Sequence, residues 1–442
     1  MEQRLDRKDL TQGVVWKKLL IFFLPIAAGT CIQQLYNAVD GLIVGRYVGT
    51  IALAAVGGSS AQIINLLIGF FVATTAGASV IIAQVYGAGR DEDVRLAAGN
   101  ALAVFALLGL VLMAFGLIAT PAMLRLLRTP EDTMEASVLY LRIYFLGVPF
   151  VLILNMESNM LRSVGDSFSP FLYMVAGCIS NIVLDTVFVL VFHWGVAGVA
   201  IATVLAQVLN MGLLTWKLLR TKESYRLSLK ELKLKGVYLQ NMLRLGIPSG
   251  LQSSMYAVSN MIIQVGVNSL GTVVVASWAM SGKTDGIFWA VSNALGAGRQ
   301  DRVKLCVKQG LILSFSITVT LSALIMLLGR PMLHILTEDQ AVIDTTYQIM
   351  TYFVPYYFTW TLIEVLSAVL RGAGDAVRPV VIIGLGICLL RIVWILTLFQ
   401  WVHTLMVLSL CYVVSWVVTS IAMTVYYRHG RWMQRGSVIV ER

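Results

Sequence analysis

The sequence predicts an all-α membrane protein of twelve transmembrane helices arranged as two parallel six-helix repeats. Three observations carry this. Only 13% of the 442 residues are charged and 58% are hydrophobic, whereas a soluble domain carries about 25% charge. Uncharged windows of about 20 residues, the length that spans a bilayer as a helix, recur along the chain. Motifs of the first half also return in the second, in the same order. Pro25, Gly49-Thr50, Gly87-Ala-Gly-Arg90 and Leu161-Arg-Ser-Val-Gly-Asp166 before Pro170 are answered by Pro248, Gly271-Thr272, Gly296-Ala-Gly-Arg299 and Leu370-Arg-Gly-Ala-Gly-Asp375 before Pro379. Gly87 to Arg162 and Gly296 to Arg371 are both 75 positions. Duplicated helical bundles recur in secondary transporters, because two similar halves can rock about a shared site.

Hydropathy places the spans of the first half at 16–42, 51–84, 96–120, 133–157, 168–192 and 195–217. Those of the second half fall at 238–266, 272–296, 305–329, 341–367, 377–400 and 404–427. Six spans return each half to its starting side, so the repeats are parallel. The domain division follows: residues 1–217 form an N-terminal lobe, 218–237 a cytoplasmic linker and 238–442 a C-terminal lobe. The linker alternates Leu with Lys or Glu, which suits a segment lying at the membrane surface. Basic residues gather before span one, in the linker, after span eight (Arg299, Arg302, Lys304, Lys308) and after span twelve. The positive-inside rule then puts both termini in the cytoplasm. The net charge of +10 therefore orients the protein and does not point to nucleic acid. Five scattered cysteines, Cys31, Cys178, Cys306, Cys388 and Cys411, lack pairing or metal spacing and read as small buried hydrophobes.

The repeat has one defect. Gly49 to Gly87 is 38 positions, but Gly271 to Gly296 is 25, so span eight is 13 residues short. That removes about 20 Å of helix and brings Lys283 and Asp285 near its middle.

An ionisable residue inside a span is a functional candidate by default, because its cost must be offset. Gln33, Tyr36, Asn37 and Asp40 fall at i, i+3, i+4 and i+7, a polar stripe on one helix face. Span five carries Asn181 and Asp185 one turn apart, and span six carries Thr203. A second buried carboxylate beside the first raises the proton affinity of one of them, so the pair suits a proton or a small cation. The copy lacks both acids: Asp40 corresponds to Ile262 or Ile263, and Asp185 to Trp394. The ion site is therefore expected in the first half alone. The second half offers Asn260, Gln264, Glu364 and Arg391, with Glu364 and Arg391 as a prospective buried pair. Together with Gln33, Asn37 and Asn155, these are the candidate lining of a substrate cavity. The Gly-Ala-Gly-Arg elements follow membrane helices rather than strands and lack a Gly-Lys-Ser/Thr ending, so they read as tight turns rather than phosphate loops. No nucleophile, haem or metalloprotease pattern points to an enzyme or to a bound cofactor.

Leu35-Tyr-Asn-Ala-Val-Asp40, Gly87-Ala-Gly-Arg90, Leu161-Arg-Ser-Val-Gly-Asp166, Asn181-Ile-Val-Leu-Asp185 and Leu370-Arg-Gly-Ala-Gly-Asp375 together resemble the multidrug and toxic compound extrusion (MATE) family. Their order and spacing match over nearly the whole chain. The pattern is closer to the DNA-damage-inducible-F-like branch than to the branch with a cation-binding glutamate in span seven, since Leu251 to Asn260 holds no acid. The resemblance implies a V-shaped twelve-helix fold and a monomer. It implies export of small organic compounds, often cationic and aromatic, in exchange for protons or sodium ions. It assigns the ion site to Asp40, Asp185, Asn181, Tyr36 and Thr203. Two alternatives remain beside that expectation. One is a flippase for lipid-linked saccharides, as occurs in the wider superfamily. The other is a transport-defective paralogue, which the short span eight would explain.

Overall fold

The computed structural model describes residues 24–430 except 27, 34–35, 37–38, 42, 128, 228–235, 271–273, 275–277, 279–302 and 337–339. Apart from Val274 and Trp278, span eight, where the sequence shows its defect, thus lies outside the described residues, as do Gly296–Arg299 and Asn37. Leu24–Gln33 is an apolar helix, and a π-helical turn at Val44–Val48 ends the first span. Five long helices follow: α1 (Ala55–Gly87), α2 (Asp91–Leu126), α3 (Glu131–Ser163), α4 (Phe168–Val191) and α5 (Gly195–Arg220). The second repeat begins with α6 (Gly236–Ser269). It continues with α7 (Gly310–His334), α8 (Gln340–Gly372), α9 (Val377–Trp401) and α10 (Leu405–His429). Nine helices among the described residues are long and apolar enough to cross a membrane. The chain is an all-helical, multi-pass membrane protein, and the helices fall where hydropathy places them.

Large side chains point outward as well as inward. Along α2, Leu107, Leu110, Val111, Phe115 and Ile118 are exposed, Ile118 by 82%. In water such a stripe would be a binding or aggregation surface; in a bilayer it faces acyl chains. The α4–α5 and α9–α10 turns expose Trp194 and Trp401, the amphipathic residues favoured at the membrane–water interface. Phe188 stacks on Trp194 with ring centroids 5.0 Å apart.

The chain divides into two compact units. One holds Leu24–Gly250 and the other begins at Leu251, so the division falls inside α6 rather than in the polar segment before it. The reason is a backbone contact. A Cβ at Gly77 of α1 would lie 2.3 Å from the Gly246 nitrogen, and a Cβ at Gly246 would lie 2.4 Å from the Thr74 carbonyl. Only glycine lets these helices meet so closely, and small residues are the usual means of helix contact where no hydrophobic drive exists.

The motif repeat is also a repeat of conformation. Gly165 and Gly374 both adopt positive φ, +88° and +90°. The Asp166 amide donates to the Leu161 carbonyl, and the Asp375 amide to the Leu370 carbonyl, each at 2.9 Å. Each aspartate then locks its turn to the last helix of its repeat. The Lys217 ammonium donates to Asp166 Oδ2 at 2.7 Å, while Ser169 donates its backbone N–H to Oδ1 at 3.0 Å. In the second repeat the partners stand at the matching positions: Arg378 donates to Asp375 Oδ2 at 3.1 Å and the Tyr426 hydroxyl donates to the same oxygen. These are cap and turn elements, as their sequence suggests. Gly87–Arg90 is likewise a tight turn, with the Arg90 amide donating to the Val85 carbonyl at 3.1 Å.

Two predictions follow from these contacts. Gly77→Val forces two backbones apart and is expected to destabilise by about 1–3 kcal/mol, the range for overpacking; an unchanged thermal unfolding midpoint in detergent would contradict the contact. The second concerns pH. Burial raises the Asp166 carboxyl, and the Lys217 ammonium with Ser169 more than offsets this, so it sits below its usual range. A carboxylate depressed on folding gives its full stabilisation above the unfolded value of about 4 and loses it as pH falls through the folded value. Asp166→Asn is therefore expected to cost about 1–3 kcal/mol near neutral pH, with the gap narrowing below about pH 4. Unfolding midpoints of both proteins across that range decide it, and a gap independent of pH would count against the lock.

Candidate ion site

Four elements of the first unit converge on two acids. The first span supplies Tyr36 and Asp40, both half-buried. Helix α4 supplies Asn181 and Asp185, 1% and 0% exposed, and α5 supplies Thr203. Asn181 and Asp185 are four residues apart and so share a face. Each acid is followed by a π-helical turn, Val44–Val48 after Asp40 and Val187–Val191 after Asp185. Such turns often accompany functional sites, because they re-aim side chains and free carbonyls.

The carboxyls of Asp40 and Asp185 meet within hydrogen-bonding reach. Two carboxyl groups can share a hydrogen bond only if one of them carries a proton. In the amide orientation that satisfies both neighbours, Asn181 donates Nδ2 to Asp185 Oδ2 at 2.7 Å and accepts from the Thr203 backbone N–H at 3.2 Å. The Tyr36 hydroxyl is hydrogen-bonded to Thr203, whose own hydroxyl donates to the Val199 carbonyl at 3.0 Å. Oδ1 of each aspartate is buried with no protein partner among the described residues. The arrangement gathers carboxyl, amide and hydroxyl oxygens around two acids on which no cationic side chain acts among the described residues.

Five residues of the sequence-based set are thus together, and two others join them. Tyr140 and Tyr144 of α3 have ring centroids 6.1 Å apart; Tyr140 lies within electrostatic reach of both acids and of Tyr36, and Tyr144 within reach of Tyr36. Their i, i+4 spacing was available in the sequence, but α3 also carries Arg142, Asn155, Glu157 and Asn159, and nothing singled out the two tyrosines among them. The remaining expectations fare differently. Gln33 is exposed and does not continue the inward stripe. Asn155 is bound to its own helix, donating to the Val151 carbonyl at 2.8 Å. Asn260 is exposed and Gln264 half-buried.

The prospective Glu364–Arg391 pair is not formed. Glu364 accepts from the Tyr256 hydroxyl at 3.5 Å. Tyr256 in turn accepts from Gln252 at 3.3 Å, and Gln252 accepts from Arg371 at 2.9 Å. Arg391 donates Nε to Ser415 at 3.0 Å and lies 4.0 Å above the Tyr412 ring. Spacing within helices could not reveal this, because the choice between Arg371 and Arg391 depends on how α6, α8 and α9 are rotated. Where the repeat would place the counterparts of the acids, the second unit is packed and apolar. Ile263 joins Val267, Ile395, Phe399 and Leu408 in a buried cluster, and the Trp394 indole donates to the Val407 carbonyl at 3.0 Å.

Known proteins agree with this architecture. A probable multidrug resistance protein, YoeA of Bacillus subtilis, is 28% identical over 400 residues, covering 86% of each chain. The probable multidrug resistance protein NorM of Thermotoga maritima is 25% identical, covering 85% of this chain and 84% of its own. Among solved structures, the outward-facing conformation of a multidrug resistance MATE family transporter of the MOP superfamily superposes with a TM-score of 0.82 at 22% identity, over 97% of both chains. A MOP superfamily transporter from Pyrococcus furiosus superposes with a TM-score of 0.85 at 21% identity, over 96% of both. The MatE family model matches residues 25–187 and 248–397, one segment in each repeat. With more than half of the chain matched in that way, the protein belongs to the MATE family of transporters.

Proposed function

We propose that this chain is a monomeric efflux antiporter of the bacterial inner membrane. Both termini lie in the cytoplasm, and it exports small organic, often cationic and aromatic compounds in exchange for a proton or a sodium ion. The observation that supports this is the contact between the Asp40 and Asp185 carboxyls, held by Asn181, Tyr36 and Thr203 and absent from the second repeat. A cation bound between the acids cancels one of their two charges, relieves their repulsion and favours the packed arrangement of the first span against α4 and α5. Without it the two carboxylates repel, and the arrangement that hydrates them is favoured. Coupling needs only that the ion prefer one arrangement and the substrate the other, by a margin equal to the population shift it drives. The names of YoeA and NorM, both probable multidrug resistance proteins, support the substrate class. Arg391 is buried and engaged by Ser415 and Tyr412, so it is not presented to a phosphate, which favours an exporter over a lipid-linked saccharide flippase.

The test is efflux of the fluorescent cation ethidium from vesicles under a proton gradient and, separately, a sodium gradient. Wild-type protein is expected to respond to at least one. Asp40→Asn and Asp185→Asn are each expected to lose the gradient-dependent part. Asn181→Ala removes one hydrogen bond to the acid and is expected to lower the rate roughly fivefold, the equivalent of about 1 kcal/mol. Gradient-driven efflux that survives Asp40→Asn unchanged would refute the assignment.

A further inference from the structure

Glu157 stands apart from the Asp40–Asp185 pair. It lies near the end of α3 and is completely buried, 0% exposed. The Thr215 hydroxyl of α5 is 2.5 Å from Glu157 Oε1, and the same hydroxyl is 3.0 Å from the Met211 carbonyl. Oε2 is buried and has no hydrogen-bond partner among the described residues. Helices α1, α2, α4 and α5 pack against α3, and of the described side chains on them Thr215 alone acts on the carboxyl. Arg162, five residues further along α3, does not engage it and keeps its own Nε buried without a partner.

The hydrogens can be counted. Thr215 has one hydroxyl hydrogen and two acceptors in reach, Glu157 Oε1 and the Met211 carbonyl. If Glu157 is ionised, Thr215 can serve only one of the two acceptors, and Oε2 holds charge with neither a counter-ion nor a donor among the described residues. If Glu157 carries a proton, its O–H donates to Thr215, Thr215 donates to Met211, and every hydrogen is placed. The site also sits at its own depth. Thr215 follows Thr203 by twelve residues on α5, about 18 Å along the helix at 1.5 Å per residue. It lies toward the end of α5 that carries Lys217, which locks Asp166.

We propose that Glu157 is a second proton-binding site of the first unit, separate from the aspartate pair and nearer the cytoplasmic end. It is loaded in the arrangement described and unloads when α3 and α5 part enough to admit water. On unloading, the Glu157 proton passes to water and leaves a carboxylate. The Thr215 hydrogen then swings from the Met211 carbonyl to Oε1. Its sidedness and its coupling to transport rest on the proposed antiport; the bound proton itself does not.

Infrared difference spectroscopy of the purified full-length protein tests this, with pH raised in one series and ethidium added in another. Wild-type protein is expected to show a carboxylic-acid C=O band that bleaches in at least one series. Glu157→Gln should remove that band, the loss of one protonated carboxyl per molecule. Thr215→Val should keep it and shift it to higher frequency, because the acid loses its hydrogen bond. That variant decides the matter if Glu157→Gln does not fold. Asp40→Asn should leave the band in place. The proposal is overturned if neither variant removes or shifts an acid band. It is equally overturned if the Glu157 band persists at every pH up to unfolding and with ethidium bound, which would mark a fixed structural acid. Should Asp40→Asn leave all acid bands and gradient-driven efflux unchanged while Glu157→Gln removes one band, the proposed role of Asp40 fails and the second site stands.

Discussion

The hydrocarbon interior of a bilayer contains no water to solvate a polar group, and nearly every feature of this protein answers that constraint. Backbone N–H and C=O groups must be satisfied within each segment, which leaves helices as the form of the spans. Side chains facing acyl chains gain nothing from being polar, so Leu107, Phe115 and Ile118 can be exposed without cost. Association of helices cannot draw on burial from water, so it relies on close fit, as where Gly77 meets Gly246. Hydroxyls within spans return to their own helix: Thr203 to Val199, Thr120 to Gly116 and Thr419 to Ser415. Against that background a carboxyl group in a span is conspicuous, and its neutralisation has to be found.

The duplication shows which polar features are structural and which are not. Asp166 and Asp375 occupy matching positions, cap matching turns and reach partners that also match, Ser169 with Lys217 and Arg378 with Tyr426. The chemistry of the partners differs while the geometry is kept, which is the mark of a feature required by the architecture. Asp40, Asp185 and Glu157 behave in the opposite way. The repeat places an isoleucine opposite Asp40, Trp394 opposite Asp185 and the buried Leu366 opposite Glu157. The described helices of the second repeat are built without these acids, so the acids are not a requirement of that helical architecture.

Much of the fold was legible because hydropathy over 20 residues is a long-range average, insensitive to any one neighbour. The turns were legible because a Gly-Asp pair before a helix has few conformations available. The acid site was half legible: Asn181 and Asp185 share a helix face by spacing alone, and the missing acids in the second repeat marked the first as special. What the sequence hid lies in helix rotation. Tyr140 comes within reach of the acids, and Tyr144 within reach of Tyr36, only because α3 is turned that way. Glu157 is the last residue of the span that hydropathy places at 133–157, and nothing there singled it out; α3 instead runs on to Ser163 and carries Glu157 inside. Glu364 was assigned to Arg391 on composition, whereas the packing of α6 against α8 offers it Tyr256.

The contrast between Glu364 and Glu157 gives the units different electrostatic characters. Glu364 is joined through Tyr256 and Gln252 to the Arg371 guanidinium, which also holds Ser367 at 2.7 Å. A fixed cation of the chain thus acts on Glu364 across this relay. Glu157 and the Asp40–Asp185 pair have no such cation among their described neighbours. Charge neutrality there has to come from outside, as a proton or a small ion that water can deliver. A fixed cation makes a structural acid; its absence makes an exchangeable one. Exchange is what links a buried carboxyl to an ion gradient, so in the proposed antiport the ion-coupled step belongs to the unit whose acids have no fixed cation among their described neighbours.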